Sequence, residues 1–250
     1  MSFQKTILLL TACAATALAQ TGDLGLGTNP EAQGATSDVT PGAGPNGSED
    51  WLNSGMEGDG WEAPFLSWDS LIKIDRKTFY ANAGATCKQY DWAFQQAGDK
   101  HGIDPVFLAI IAMQESSCNP DAGGPTPGLM QVACSNYPDG QCTNDVEKSV
   151  DAGAAFLRRQ LDDNNRNAIK VIGNYNGFFT KGDQTGLNGG RGLTRDYPCS
   201  EDGKAHGMPQ NLDYLQQILN GWFLGLNPYG DENWLGQYHC SGDCSSGHIC

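Results

Sequence analysis

A mainly α architecture is what this sequence predicts: one helical domain preceded by a disordered leader. Three observations carry that expectation. Apolar residues recur at three- and four-residue steps through much of the stretch from 68 to 237. Alternating strand patterns are scarce, and the joints between periodic segments, such as 123–128 and 182–192, are rich in Gly and Pro. No internal repeat or heptad interrupts this pattern.

Taken from the N-terminus, residues 1–19 combine Lys5, a short apolar run and Ala-Leu-Ala19, the pattern of a secretory signal peptide. That run is too short to span a bilayer and no later segment approaches 18 uninterrupted apolar residues, so a secreted, extracellular chain without a membrane partner is expected. Residues 20–67 are rich in Gly, Pro, Thr, Asn and acids, a composition that buries too little apolar surface to offset its ordering entropy, and they read as the acidic disordered leader. Asn46-Gly47-Ser48 within it is a glycosylation sequon, and exposure there would permit its use. Trp51, Trp61, Phe65 and Trp68 depart from the polar trend and read as a segment packed on the domain surface.

Residues 68–237 are long enough for one core without help from another subunit, so a monomer is expected. Helices are predicted over 87–100, 104–117, 144–163, 166–176 and 210–224. In the third, Val146, Val150, Ala154, Leu157 and Leu161 keep helical spacing. Residues 238–250 form a Cys-rich tail. Cys13 leaves with the signal, and the other eight cysteines suit four disulfides in an oxidising compartment, although eight cysteines allow 105 pairings. His239, Cys240, Cys244, His248 and Cys250 do not fall into a zinc-finger spacing, so disulfides rather than a metal site are expected there, and no cofactor is implied.

The formal charge is −14, becoming −15 once Lys5 is removed, and residues 20–72 hold nine acids without one Lys or Arg. A chain with no basic face is not expected to bind nucleic acid.

Glu115 is the only charged residue between Asp104 and Asp121, at the end of an otherwise apolar helix opened by Asp104 as N-cap and Pro105 as first helical residue. Leu108 and Ile111 share its face. Burial and the negative helix end both disfavour its ionised form, which suits a general acid near neutral pH. On position alone, a Glu snorkelling to an Arg or Lys is an equal reading.

Residues further along the chain tip the balance. Glu115-Ser116, then Gly128-Leu129-Met130-Gln131, then Gly153-Ala-Ala-Phe156-Leu157, then Tyr175-Asn176-Gly177 form an ordered set over residues 101–180. This set resembles the lytic transglycosylase domain of the goose-type lysozyme superfamily. The resemblance implies a lysozyme-like, mainly α (α+β) fold whose cleft takes a β-1,4-linked amino sugar polymer, usually peptidoglycan, with chitin as the alternative. It implies Glu115 as the acid/base and a substrate-binding set around it: Ser116 positioning Glu115 or its helix end by hydrogen bonding, Gln131 and the backbone near Met130 in the turn that lines the cleft, and Tyr175 and Asn176 at the helix end that contacts Glu or sugar. One departure stands out: Gly123-Gly-Pro-Thr-Pro127 replaces the family's Ser and Gly-Ala segment, and Thr126 is the hydroxyl left to stand in.

Each mark also has an ordinary reading. Met130 can fill core space, Gln131 can cap a helix, and Tyr175 can be a packed side chain. Asp121, in Asn-Pro-Asp, reads as a turn cap rather than a second catalytic carboxylate. Cys118 is expected in a disulfide that stiffens the end of the Glu115 helix.

Overall fold

The computed structural model describes residues 23–183, 186–208, 211–230, 235–236 and 238. The expected signal peptide, Trp234 and the cysteines and histidines of the tail lie outside these residues.

A two-residue hairpin opens the fold, β1 (Ala43–Gly44) pairing antiparallel with β2 (Gly47–Ser48), followed by α1 (Glu49–Leu52). After it come α2 (Arg76–Ala81), α3 (Asp91–His101), α4 (Pro105–Ser116), α5 (Val146–Asp163), α6 (Ala168–Tyr175), α7 (Glu201–Ala205) and α8 (Tyr214–Leu219). The mainly α expectation therefore holds. Helix α4 is central, with every residue from Val106 to Ala112 buried. It lies against α3, α5 and α8, and α6 packs on both α5 and α8.

Local chemistry places the ends of these helices. Asp104 accepts the Val106 N–H at 3.1 Å and Pro105 opens α4, as the sequence requires. Asp145 caps α5 and Asn167 caps α6 in the same way. The expected helix over 87–100 is split into a 3-10 turn, Ala85–Tyr90, and α3, which stops at left-handed Gly102. The expected helix over 210–224 is also shorter. It ends with α8, the backbone leaving helical geometry at Gly221 (φ −111°, ψ −87°), where a Cβ would sit 2.3 Å from the Gln217 carbonyl oxygen, and a 3-10 turn, Trp222–Leu224, follows.

The leader is the main correction. Residues 23–67 do not hang free: Val39, Leu52 and Trp61 are fully buried, and Trp61 donates its indole N–H to Leu52 O while meeting Phe178 edge-on at 5.1 Å. Trp68 stacks at 4.3 Å on Phe107 of α4. Trp61 and Trp68 thus enter the core rather than lie on the surface, Trp51 packs half-buried against it, and only Phe65 among the four aromatics is strongly exposed. Average composition concealed this because a few large rings and buried Asn side chains do the ordering.

Asn46 shows how. Its side chain is 0% exposed, donating to Ile72 O at 2.8 Å and Leu219 O at 2.7 Å and accepting the Ile72 N–H at 2.9 Å. A glycan on that nitrogen would replace one of its two donating hydrogens, breaking at least one buried hydrogen bond, and has no room. The folded protein is expected to carry no glycan at Asn46, which endoglycosidase treatment followed by intact-mass measurement would check.

Two disulfides are seen, Cys87–Cys118 and Cys134–Cys142, and Cys199 is disulfide-bonded as well. The first spans 31 residues and ties the end of α4 to the turn before α3. Closing a loop of that size stabilises by about 3 to 4 kcal/mol through the unfolded chain. Replacing Cys87 and Cys118 together by Ser should lower stability by that order, read from denaturant midpoints.

Candidate active site

Glu115 sits in the last turn of α4, half-buried, above the apolar residues of its own helix. Immediately beyond it the backbone turns left-handed twice, at Ser117 (φ 55°) and Cys118 (φ 56°). The chain closes a Schellman turn there, with Cys118 N–H donating to Ala112 O and Ser117 N–H to Met113 O. Neither residue is glycine, so each conformation costs about 1 to 2 kcal/mol. The Cys118 disulfide, the expected stiffener of this helix end, holds them in place.

Ser116 does not point at open solvent. Its hydroxyl reaches Leu129 O at 2.7 Å and Ala112 O at 3.1 Å, so it joins the end of α4 to the 128–131 turn. At that turn a Cβ on Gly128 (φ 110°) would lie 2.4 Å from Thr143 O, which only glycine avoids. Gln131 is left-handed too (φ 47°), and its amide donates to Gly128 O at 2.8 Å and to Ala122 O at 3.3 Å. Its side chain braces the 122–131 loop. Thr126, the stand-in hydroxyl, donates to Gln131 Oε1 at 3.5 Å.

The Met130 side chain is 0% exposed and rests against Gly153 of α5, where an added Cβ would come within 2.7 Å of the Met130 methyl. The side chain thus fills core space, and the part the resemblance assigns to the cleft-lining turn is the backbone around it. Its backbone is what matters: the N–H donates to buried Ser149 at 3.1 Å, and the carbonyl accepts the Tyr175 hydroxyl at 2.8 Å. Tyr175 in turn meets Phe156 edge-on at 5.4 Å. The four separated sequence marks therefore converge on one locus. Asn176, next along, donates to Asn211 O at 3.1 Å and fastens the end of α6 to the segment leading into α8.

The group that bonds Glu115 directly is one the sequence did not single out. Tyr214, first residue of α8 and buried, donates its hydroxyl to Glu115 Oε1. Tyr229 lies near as well, its hydroxyl accepting from Gln114 at 2.7 Å and donating to Gln217 Oε1 at 2.8 Å. Both tyrosines sit in the C-terminal third, in apolar or loop surroundings where an aromatic ring reads as packing, and only proximity in space marks them. Asp121 is exposed, and the side chain that caps its turn is Asn119, whose Oδ1 accepts the Asp121 N–H at 3.0 Å.

Burial pushes the Glu115 carboxyl up to about 7, and the Tyr214 hydrogen bond pulls it the other way. Tyr214 and Tyr175 are held well above the usual phenol value, first by burial and then by the Glu115 charge. Both phenols therefore stay protonated and available as donors. An acid that keeps its proton near neutrality, one donor on its oxygen and a surface left partly open can deliver a proton to a ligand and later take one back.

Residues 92–191 match the family model described as the Transglycosylase SLT domain. Over 98 residues the chain is 37% identical to the membrane-bound lytic murein transglycosylase F of Yersinia pestis (strain Pestoides F), covering 37% of this chain and 19% of that protein. The corresponding protein of Desulfosudis oleivorans (strain DSM 6200 / JCM 39069 / Hxd3) is 28% identical over 106 residues, covering 40% of this chain and 23% of the relative. The chain thus spans only about a fifth of the length of the curated relatives it matches. Tyr214 and the N-terminal segment both lie outside the matched range.

Proposed function

With residues 92–191 forming a transglycosylase SLT domain, we propose that the protein is a secreted enzyme that cleaves the β-1,4 glycosidic bonds of peptidoglycan as a lytic transglycosylase, with Glu115 as its acid and base. One observation carries this reading: a half-buried carboxyl whose pKa is raised to about 7, bonded by a single phenol and by no second carboxylate among the described residues.

Protonated Glu115 gives its proton to the bridging oxygen as that bond breaks. With no second carboxylate bonded to Glu115 or acting on it among the described residues, the substrate's own N-acetyl oxygen attacks the anomeric carbon and carries the positive charge. The Glu115 carboxylate then removes a proton from the sugar's C6 hydroxyl, whose oxygen bonds the anomeric carbon as the bond to the N-acetyl oxygen breaks, giving a 1,6-anhydro end and restoring the acetamide. Tyr214 holds the carboxyl between these two steps. Gln131 and Ser116 keep the loop and helix end in register, and Tyr175 anchors the Met130 carbonyl at the rim.

Two features support secretion: the leader pattern of residues 1–19 and disulfides within the described residues. Among those residues no helix is long and apolar enough to cross a membrane.

Mass spectrometry of products from purified bacterial walls tests the reading, with chitin digested alongside. A 1,6-anhydro end is the expected result. A free reducing end would show hydrolysis instead, and release from chitin but not from walls would reassign the substrate.

A further inference from the structure

We propose that residues 29–66 form a positioning strap for Tyr214: buried Asn46 and Asn53 seat α8, from opposite ends, so that its tyrosine reaches Glu115. The catalytic consequence rests on the function proposed above; the structural one does not.

Helix α8 has six residues, all buried, and no side chain caps its start. A segment that short does not hold a helix by itself, so its position must come from what surrounds it. Much of that comes from the strap. Asn53 donates to Leu212 O at 3.1 Å, two residues before Tyr214. At the other end, Asn46 donates to Leu219 O at 2.7 Å and its N–H to Asn220 Oδ1 at 2.8 Å. Asn220 donates to Gly47 O at 3.0 Å, and Gln216 donates to Thr40 O at 2.9 Å. Asn46, Asn53, Gln216 and Asn220 are each at most 4% exposed, so water cannot replace these bonds.

The approach is close. A Cβ on Gly44 would lie 2.6 Å from the Asn220 side chain, which is why the hairpin carries glycine there. The strap is itself fastened: Glu49, 2% exposed, accepts from Arg195 at 3.2 Å, and Arg195 also meets Glu57 at 2.6 Å. Glu49, Asp50 and Glu57 of the strap thus face Arg195, not Glu115. The titratable groups that feel the Glu115 charge are Tyr214 of α8, Tyr175 of α6 and Tyr229 after the last 3-10 turn.

The experiment uses the full-length protein and needs no substrate. Carbon-13 NMR of labelled Glu carboxyls, with Glu115 assigned by its disappearance in Glu115→Gln, gives the titration midpoint of that carboxyl. If the strap seats Tyr214, Asn46→Ala shifts the midpoint upward as Tyr214→Phe does, and the double variant goes no further than Tyr214→Phe alone. Leu161→Val, a core change in α5 away from the strap, should keep the wild-type midpoint. Turnover of Asn46→Ala should fall about tenfold or more with KM little changed, as misplacing a catalytic group does. Asn53→Leu and Gln216→Met are made in parallel in case Asn46→Ala does not fold, and the same upward shift is expected of them. An unchanged midpoint in any folded strap variant overturns the proposal, as does an equal shift in Leu161→Val. Absence of turnover in the wild-type protein would instead remove the proposed function and leave the midpoint to decide the strap.

Discussion

Glu115→Gln should abolish turnover while making the protein more stable at alkaline pH. The variant keeps the shape of the side chain and an oxygen for the Tyr214 hydroxyl, but it has no proton to give, and general acid and base catalysis contributes about 10²- to 10⁴-fold at each step. Residual wall clearing should be lower by several orders of magnitude. The stability sign comes from linkage. The Glu115 carboxyl is raised from 4.5 to about 7 in the fold, so between those values the native state holds a proton that the unfolded chain has lost. Wild-type stability is unaffected below about pH 4.5, falls as pH rises to about 7, and stays lower above it. At about 1.4 kcal/mol per unit the loss reaches up to about 3 kcal/mol, and Gln, which does not ionise, escapes it. Denaturant midpoints of the two proteins should coincide near pH 4 and separate by pH 8, with the variant higher. Equal midpoints at both pH values would mean the carboxyl is not desolvated, and retained lysis by the variant would end the mechanism.

Tyr214→Phe carries the second large effect. The phenol bonds the carboxyl and favours its ionised form, so removing only the hydroxyl should move the Glu115 pKa above its wild-type value of about 7. Because the first step needs the protonated acid, wild-type kcat/KM should fall on the alkaline side of that value, and in the variant this limb should shift to higher pH. A hydrogen bond to a charged group is worth about 1.5 to 3 kcal/mol, which corresponds to roughly 10- to 100-fold in turnover. The expected result is thus a slower enzyme whose pH range extends further toward alkali. An alkaline limb that stays put would show that the tyrosine does not act on this carboxyl.

The two variants probe residues that differ in how they could be found. Glu115 stood out in one dimension: a single charge at the end of an apolar run, with a cap before it and a Gly/Pro loop after it. Ser116, Gln131 and Tyr175 were named through a resemblance, and the fold brings them to the same locus, though as braces and anchors more than as ligand contacts. Met130 was named with them for its backbone; its carbonyl accepts the Tyr175 hydroxyl while its side chain fills the core against Gly153. Tyr214 offered no such signal, since a tyrosine among Leu212, Leu215, Ile218 and Leu219 looks like any packed ring.

The leader makes the same point from the other side. Its mean composition is that of a chain that cannot fold, yet Trp61, Trp68 and Leu52 supply apolar burial at a few points and Asn46 supplies a complete set of hydrogen bonds at another. Averages over a window do not register contacts made with residues 26 and 173 positions away.

By itself, the sequence determined the helical class, the caps that begin α4, α5 and α6, and the acid at the end of an apolar helix, because helical periodicity and capping act between residues a few positions apart. What only the tertiary structure decided is which phenol meets that acid and what holds that phenol in place. Those contacts join α4 to α8 and α8 to the N-terminal hairpin, and hydrogen bonds between residues 99 and 173 positions apart leave no local pattern in the chain.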